Sequence, residues 1–201
     1  INAIHQDQAG NLWVGTQDGL NRLAPGATQF DWFNTVNTPN LGSDQVMSLT
    51  SQNDLLWVGT FDEGLYRMDT SSGEMLQVAL DPDNPFALQA PGVTSLLTHS
   101  SGNIVATTFG GGTAVVDSSG RVARVIRSAL DEYVNDFPIT MAEDASGSIL
   151  VGMAQSLGVI NPSLDDIRAI SLNGEPLGVS LGADTTIIDI EIEPSGSLLL
   201  G

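Results

Sequence analysis

The chain has 201 residues, with 6 Lys+Arg against 24 Asp+Glu, a formal net charge of −18, and no cysteine. So acidic a surface repels nucleic acid and anionic membranes, and the six basic residues are all arginine. A disulfide scaffold, thiolate zinc sites and cysteine nucleophiles are excluded, and no apolar run approaches the roughly 18 residues of a membrane span. The chain begins at Ile1 and ends inside an apolar run, so it reads as a piece of a longer protein whose signal peptide or anchor would lie outside it.

An internal repeat sets the architecture. Residues 11–16 read NLWVGT and residues 55–60 read LLWVGT; weaker copies stand at 103–108, 148–153 and 197–201. The equivalent positions are Gly15, Gly59, Thr107, Gly152 and Gly201, spaced by 44, 48, 45 and 49 residues. A four-stranded propeller blade takes about 40–50 residues, whereas leucine-rich repeats are shorter and helical repeats show a 3.6-residue stripe. The expected fold is all-β: a β-propeller with four-stranded antiparallel blades, incomplete, with about four blades and the start of a fifth. One domain is expected over residues 1–201, with repeats at 1–44, 45–92, 93–138, 139–185 and 186–201.

Along the chain each repeat opens on an apolar inner strand, at 1–7, 46–51, 93–99, 139–144 and 186–193. A polar turn follows and ends in Gly10, Gly102, Gly147 or Gly196; in the second repeat it is one residue shorter and Asp54 stands there. Three residues before that glycine come Asp7, His99, Asp144 and Glu193. A short side-chain oxygen at this place accepts N–H groups of the tight turn, while glycine supplies positive φ. Next come the WVGT-type strand, a hairpin glycine (Gly19, Gly64, Gly112 or Gly158), a third strand at 20–23 or 65–68, and an outer strand at 29–34 or 75–80. Strand, turn, strand, turn is a meander. Longer connections at 34–44, 81–92, 128–138 and 173–185 return to the next inner strand, and Ser128, Leu130, Asp131, Val134 and Phe137 carry the pattern of a capped helical turn.

HQDQAGNLWVGTQDGLNRL at 5–23 and LLWVGTFDEGLYRMD at 55–69 resemble the two-component regulator propeller repeat, and DPDNPFAL at 81–88 is similar to the connection of that family. Repeats three and four depart from it, with Val105 and Leu150 in place of tryptophan and Thr107 in place of glycine. The resemblance implies a periplasmic sensor region of a bacterial hybrid histidine kinase or diguanylate cyclase. It also implies a membrane anchor and output module beyond these residues, and a homodimeric parent protein.

Candidate residues divide into two sets. Asp7, Gly10, Trp13, Gly15, Gly19, Trp57, Gly59, Gly64, Asp144, Gly147 and Gly152 recur with the blade, so turn formation and packing explain them. Of Trp32 and Phe33 on an outer strand, alternation buries one and exposes the other. His5 and His99 fall at non-equivalent positions and share no metal site. Gly110–Gly112 lacks the lysine and helix of a phosphate loop and reads as a hairpin; Asp81, Asp83 and Asn84 begin a calcium-loop spacing that Pro85 interrupts. The second set is Asp18, Phe61, Asp62 and Glu63 on the expected loop face, where an aromatic beside carboxylates suits a hydroxyl-rich ligand. No metal, no cofactor and no catalytic residue is expected. The leading reading is a non-catalytic ligand-sensing propeller for a small molecule or oligosaccharide. Two others stand beside it: a propeller enzyme (glycoside hydrolase, or lyase of the streptogramin type) and a protein-binding scaffold. The run from Asp7 to Trp13 resembles a sialidase Asp-box, but its aspartate and tryptophan are six residues apart rather than five.

Overall fold

In the computed structural model of the chain, residues 1–127, 138–153, 156–170, 186–193, 195 and 197–201 are described. The expected helical turn at Ser128–Phe137, the connection at 173–185 and Gly196 lie outside them.

Every described element is a strand. The first sheet is β1 (Ala3–Gln6), β2 (Leu12–Thr16), β3 (Gly19–Leu23) and β4 (Asp31–Phe33). The second is β5 (Val46–Gln52), β6 (Leu55–Thr60), β7 (Leu65–Asp69) and β8 (Met75–Gln77). The third is β9 (Val93–Thr98), β10 (Ile104–Thr108), β11 (Gly112–Val116) and β12 (Val122–Ile126). The fourth is β13 (Pro138–Glu143), β14 (Ile149–Met153), β15 (Ser156–Ile160) and β16 (Ile167–Ile170), and β17 (Ile190–Ile192) pairs with β18 (Leu198–Leu200). Strands follow one another in spatial as in chain order, all antiparallel. The inner strands β1, β5, β9, β13 and β17 lie successively side by side. The result is an open arc of four blades and the start of a fifth, the incomplete propeller read from the repeat. Ile4, on the first inner strand, is accordingly 64% exposed.

Period-two alternation explains how the blades adhere. Trp13, on the second strand of the first blade, packs with Val46, Leu49, Leu56, Val58 and Tyr66 of the second. Trp57 packs in turn with Val93, Ile104 and Ala106 of the third blade. Val105 takes this position against Ile149 and Val151, and Leu150 takes it against Ile187 and Ile190. In the second, third and fourth blades the neighbours of this residue on the same strand face the preceding blade. Each buried large apolar side chain contributes roughly 1.5–3 kcal/mol, and the loss of tryptophan in later repeats leaves the position apolar.

The recurrent glycine of WVGT has a packing reason. A Cβ at Gly15 would meet Val46 Cγ1 at 2.6 Å, and at Gly59 it would meet Val93 Cγ1 at 2.7 Å. At Gly152 it would meet Ile187 Cγ2 at 2.7 Å. In each case the next blade's inner strand or its approach obstructs, joined at Gly59 by Ser48 and at Gly152 by Thr140 of the glycine's own blade. Thr107 breaks the rule and is fully buried, its hydroxyl 2.9 Å from that of Thr94.

The turns behave as capped hairpins. Asp144 Oδ1 accepts from Ser146 N (2.8 Å), Ser146 Oγ (2.6 Å) and Ser148 N (2.9 Å). The same motif closes the third-to-fourth-strand turns at Asp69 and Asp117. Gly10 and Gly147 adopt φ of 84° and 82°, the left-handed region that other residues enter only with strain. The second blade differs: its turn is the two residues Asn53–Asp54, with Asn53 at φ 53°. Register on the tryptophans (Trp13 opposite His5, Trp57 opposite Thr50) makes Gln52 the counterpart of Asp7.

Candidate functional site

In the first three blades the hairpins between second and third strands emerge at the end opposite the capped turns, together with the connections at 34–44 and 81–92. In the same three blades a threonine that ends the second strand clamps the hairpin. Thr16, Thr60 and Thr108 donate through Oγ1 to the carbonyls of Gly19 (2.9 Å), Gly64 (2.8 Å) and Gly112 (2.9 Å). Thr16 and Thr60 hydroxyls also accept from Asp18 N (3.0 Å) and Glu63 N (3.2 Å). Backbone bonds tie the tips to the connections: Gly19 N to Asp44 O (2.7 Å), Phe61 N to Gln45 O (3.0 Å), Gly64 N to Pro91 O (2.8 Å) and Phe109 N to Gly92 O (2.9 Å). The candidate residues therefore sit on a rigid rim.

Phe61 is 47% exposed and meets Phe109 of the third blade edge-on, centroids 6.0 Å apart at 73°. Asp62 is held from the connection, accepting from Ser43 Oγ and, at 3.5 Å, from Gln45 Nε2. The Glu63 side chain makes no hydrogen bond or ion pair among the described residues, and its Cγ lies 3.5 Å from where a Cβ on Gly42 would stand. Tyr66 is buried behind it and its hydroxyl accepts from Gly42 N at 3.2 Å. Burial pushes the Tyr66 phenol up, and the charges of Glu63 and Asp62 push the same way. Asp18 lies one blade away; its carbonyl accepts from Trp32 Nε1 at 2.6 Å. No hydrogen bond or ion pair joins Asp18 to Asp62 or Glu63 among the described residues. The structure thus brings together Phe61, Asp62 and Glu63 on one hairpin and leaves Asp18 on its neighbour.

Sequence reasoning missed Ser43, Gln45, Gly42 and Tyr66, which support the hairpin from a connection and a third strand. It also missed Phe109. The signal for Phe109 was present: it follows Thr108 as Phe61 follows Thr60.

The remaining candidates make their contacts within the fold. Asp7 is 7% exposed; its Oδ2 accepts from Trp13 Nε1 at 2.7 Å and Asn11 Nδ2 at 2.8 Å, and its Oδ1 from Asn11 N at 2.9 Å. Burial pushes this carboxyl up, but the indole and Asn11 bonds outweigh it and hold it below the usual carboxylate range. Trp57 Nε1, its counterpart donor, is buried with no acceptor among the described residues. Trp32 is 53% exposed, whereas Phe33 packs on Trp13, centroids 5.9 Å apart. Arg22 lies over both rings at 5.7 Å and pairs with Asp31 at 2.6 Å. His5 reaches Ser51 Oγ at 2.8 Å and is lowered by burial, while His99 lies in another blade. No three His, Asp or Glu side chains among the described residues are placed to hold a metal ion. Gly110 and Gly112, at φ 74° and 80°, form the β10–β11 turn. Asp81 accepts from Asp83 N at 3.1 Å.

Residues 1–18 match the family model described as Two component regulator propeller. No curated protein sequence matches the chain. Among solved structures, the chain is similar to the extracellular domain of BT3049 of B. thetaiotaomicron, assigned to a hybrid two component system. The TM-score there is 0.77 at 17% identity, over 98% of this chain and 27% of that one. The extracellular domain of BT4673 from the same organism, likewise assigned, gives 0.65 at 18% identity over 100% of this chain and 30% of that one. YCF48 bound to D1 peptide gives 0.64 at 13%, over 96% and 58%. The chain spans less than a third of either extracellular domain. It is a β-propeller that carries a two component regulator propeller repeat at residues 1–18.

Proposed function

We propose that the chain is part of a non-catalytic, extracytoplasmic ligand-sensing propeller in a bacterial membrane signalling protein of the two-component or cyclic-di-GMP type. The observation that carries the binding site is Phe61, half exposed beside Asp62 and Glu63 on a hairpin pinned at both ends. Phe61 and Phe109 offer an apolar surface for the C–H face of a sugar ring, and Glu63 offers unengaged acceptor oxygens for hydroxyl groups. Asp18 extends the same rim. The ligand is a small molecule or oligosaccharide, and its effect is a difference in affinity between two arrangements of propeller and downstream parts. The parent protein is a homodimer whose anchor and output module lie outside these residues. The likeness to extracellular domains of two-component systems supports the placement outside the cytoplasm.

Binding through Phe61 and Glu63 requires no proton transfer, whereas a glycosidase needs one carboxyl that stays protonated. Calorimetric titration of the complete propeller with a panel of neutral oligosaccharides tests the reading. Saturable heat that Phe61→Ala and Glu63→Gln abolish, with no product formed, is the expected result. Multiple turnover of a glycan, or binding indifferent to both substitutions, overturns it.

A further inference from the structure

At the end of the blades opposite the loop face, two side chains reach across blade boundaries in the same way. Gln52 Nε2 donates to Gly102 O at 2.6 Å, from the second blade to the third. His99 Nε2 lies 2.9 Å from Gly147 O, from the third blade to the fourth. Both acceptors are the glycine of the next blade's inner turn. Both donors occupy the position that Asp7 fills in the first blade, two residues beyond the partner of the tryptophan-type site: Thr50 opposite Trp57, Leu97 opposite Val105, His5 opposite Trp13.

We propose that this position has two uses: an acceptor caps its own turn, an N–H donor staples its blade to the next one, and a histidine does both. Gln52 and His99 are the staples of the second-to-third and third-to-fourth joints.

Only a side chain with an N–H can make the staple. Asp7 and Asp144 accept only; Asp7 binds Trp13 and Asn11, and Asp144 binds Ser146 and Ser148, all in their own blades. A carbonyl oxygen needs a donor, so the amide nitrogen of Gln52 must face Gly102. His99 does both tasks. Its Nδ1 accepts from Ser101 N at 3.1 Å and so carries no proton, which puts the proton on Nε2, facing Gly147 O. The ring is buried at 3% exposure, which a neutral tautomer with both nitrogens engaged tolerates. Glu143 Oε1 stands 3.4 Å from Nε2 and its carboxylate accepts from Ser100 N at 3.0 and 3.2 Å, closing the joint around the ring. The first blade has an aspartate, and the second blade's two-residue turn offers it no glycine carbonyl; the joint is made instead by His5 to Ser51 and Asn2 Nδ2 to Val46 O at 2.9 Å. Both donors precede a repeat whose turn ends in glycine, Gly102 and Gly147.

Hydrogen exchange by mass spectrometry on the complete propeller tests this, because a staple acts on a blade that does not contain it. Gln52→Met removes the donor while keeping the shape. It is expected to speed exchange in the turn at 99–103 by about 2- to 12-fold, the loss of one solvent-exposed hydrogen bond. His99→Gln, which puts the donor of the second blade into the third, keeps the turn at 144–148 protected, and His99→Ala exposes it. Should His99→Ala fail to fold, Gln52→Met against His99→Gln still decides. Changes confined to the substituted blade, or loss of protection at 144–148 in His99→Gln as large as in His99→Ala, overturn the proposal.

Discussion

Trp13→Phe and Trp57→Phe are the same substitution at equivalent sites with different consequences. Both indoles are fully buried and both lose similar packing volume. Trp13 Nε1, however, donates at 2.7 Å to a carboxylate that is itself buried, whereas Trp57 Nε1 has no acceptor among the described residues. Removing a hydrogen bond to a charged group costs about 1.5–3 kcal/mol, and removing an unpaired buried donor recovers part of a penalty of roughly 1–3 kcal/mol. Arg22 over the Trp13 ring adds about 0.5 kcal/mol in the same direction. Trp13→Phe is thus expected to be the more destabilising by at least about 2 kcal/mol. Thermal and urea unfolding of the two variants in the complete propeller measure it. A double-mutant cycle of Trp13→Phe with Asp7→Asn then isolates the pair. Because hydrogen bonds lower the Asp7 pKa, its contribution is complete above the unfolded value near 3.8 and disappears as pH falls through the folded one. Equal losses in the two variants, or a coupling unchanged at acid pH, would refute the reasoning.

Other predictions follow from the same geometry. Gly59→Ala drives a methyl group onto Ser48 Oγ and to 2.7 Å from Val93 Cγ1, so a loss of about 1–3 kcal/mol is expected in urea unfolding. Asp69 and Asp117, held near 2 by Ser71 and Ser119 hydrogen bonds, are expected to stay ionised in carboxyl NMR titrations down to about pH 2. Their stabilisation is present above about 3.8 and is lost as pH falls through that folded value; midpoints near 4 would contradict it. Phe61→Ala, at an exposed rim position, is expected to leave Tm nearly unchanged, and a large drop would make Phe61 a structural residue.

The blade was legible because its determinants are local and periodic. Gly15, Gly59 and Gly152 mark one close approach to the next blade, and a 44- to 49-residue spacing needs no tertiary knowledge. Asp7 three residues before Gly10 announces a capped turn, although not that its other oxygen would take the Trp13 indole. The hydrogen bonds between blades were not legible. Gln52 looks like an ordinary polar strand end, and only register on Trp57 makes it the counterpart of Asp7. The shorter turn at Asn53–Asp54 hid that alignment by shifting the count by one. At the candidate rim, Asp18, Phe61, Asp62 and Glu63 were visible as hairpin residues, while Ser43 and Tyr66 were not. These reach the site from a connection and a third strand, 19 residues before Asp62 and 24 after Gly42, and no spacing rule brings them together.

The central claim is that this propeller senses a ligand for a membrane-anchored output module. It is tested most directly by the sequence of the full-length parent protein determined on either side of these residues. The account predicts further WVGT-type repeats that complete the ring, then an apolar span of about 20 residues and a kinase or cyclase module beyond it. A complete protein that ends at ring closure with no membrane span and no output module would contradict it.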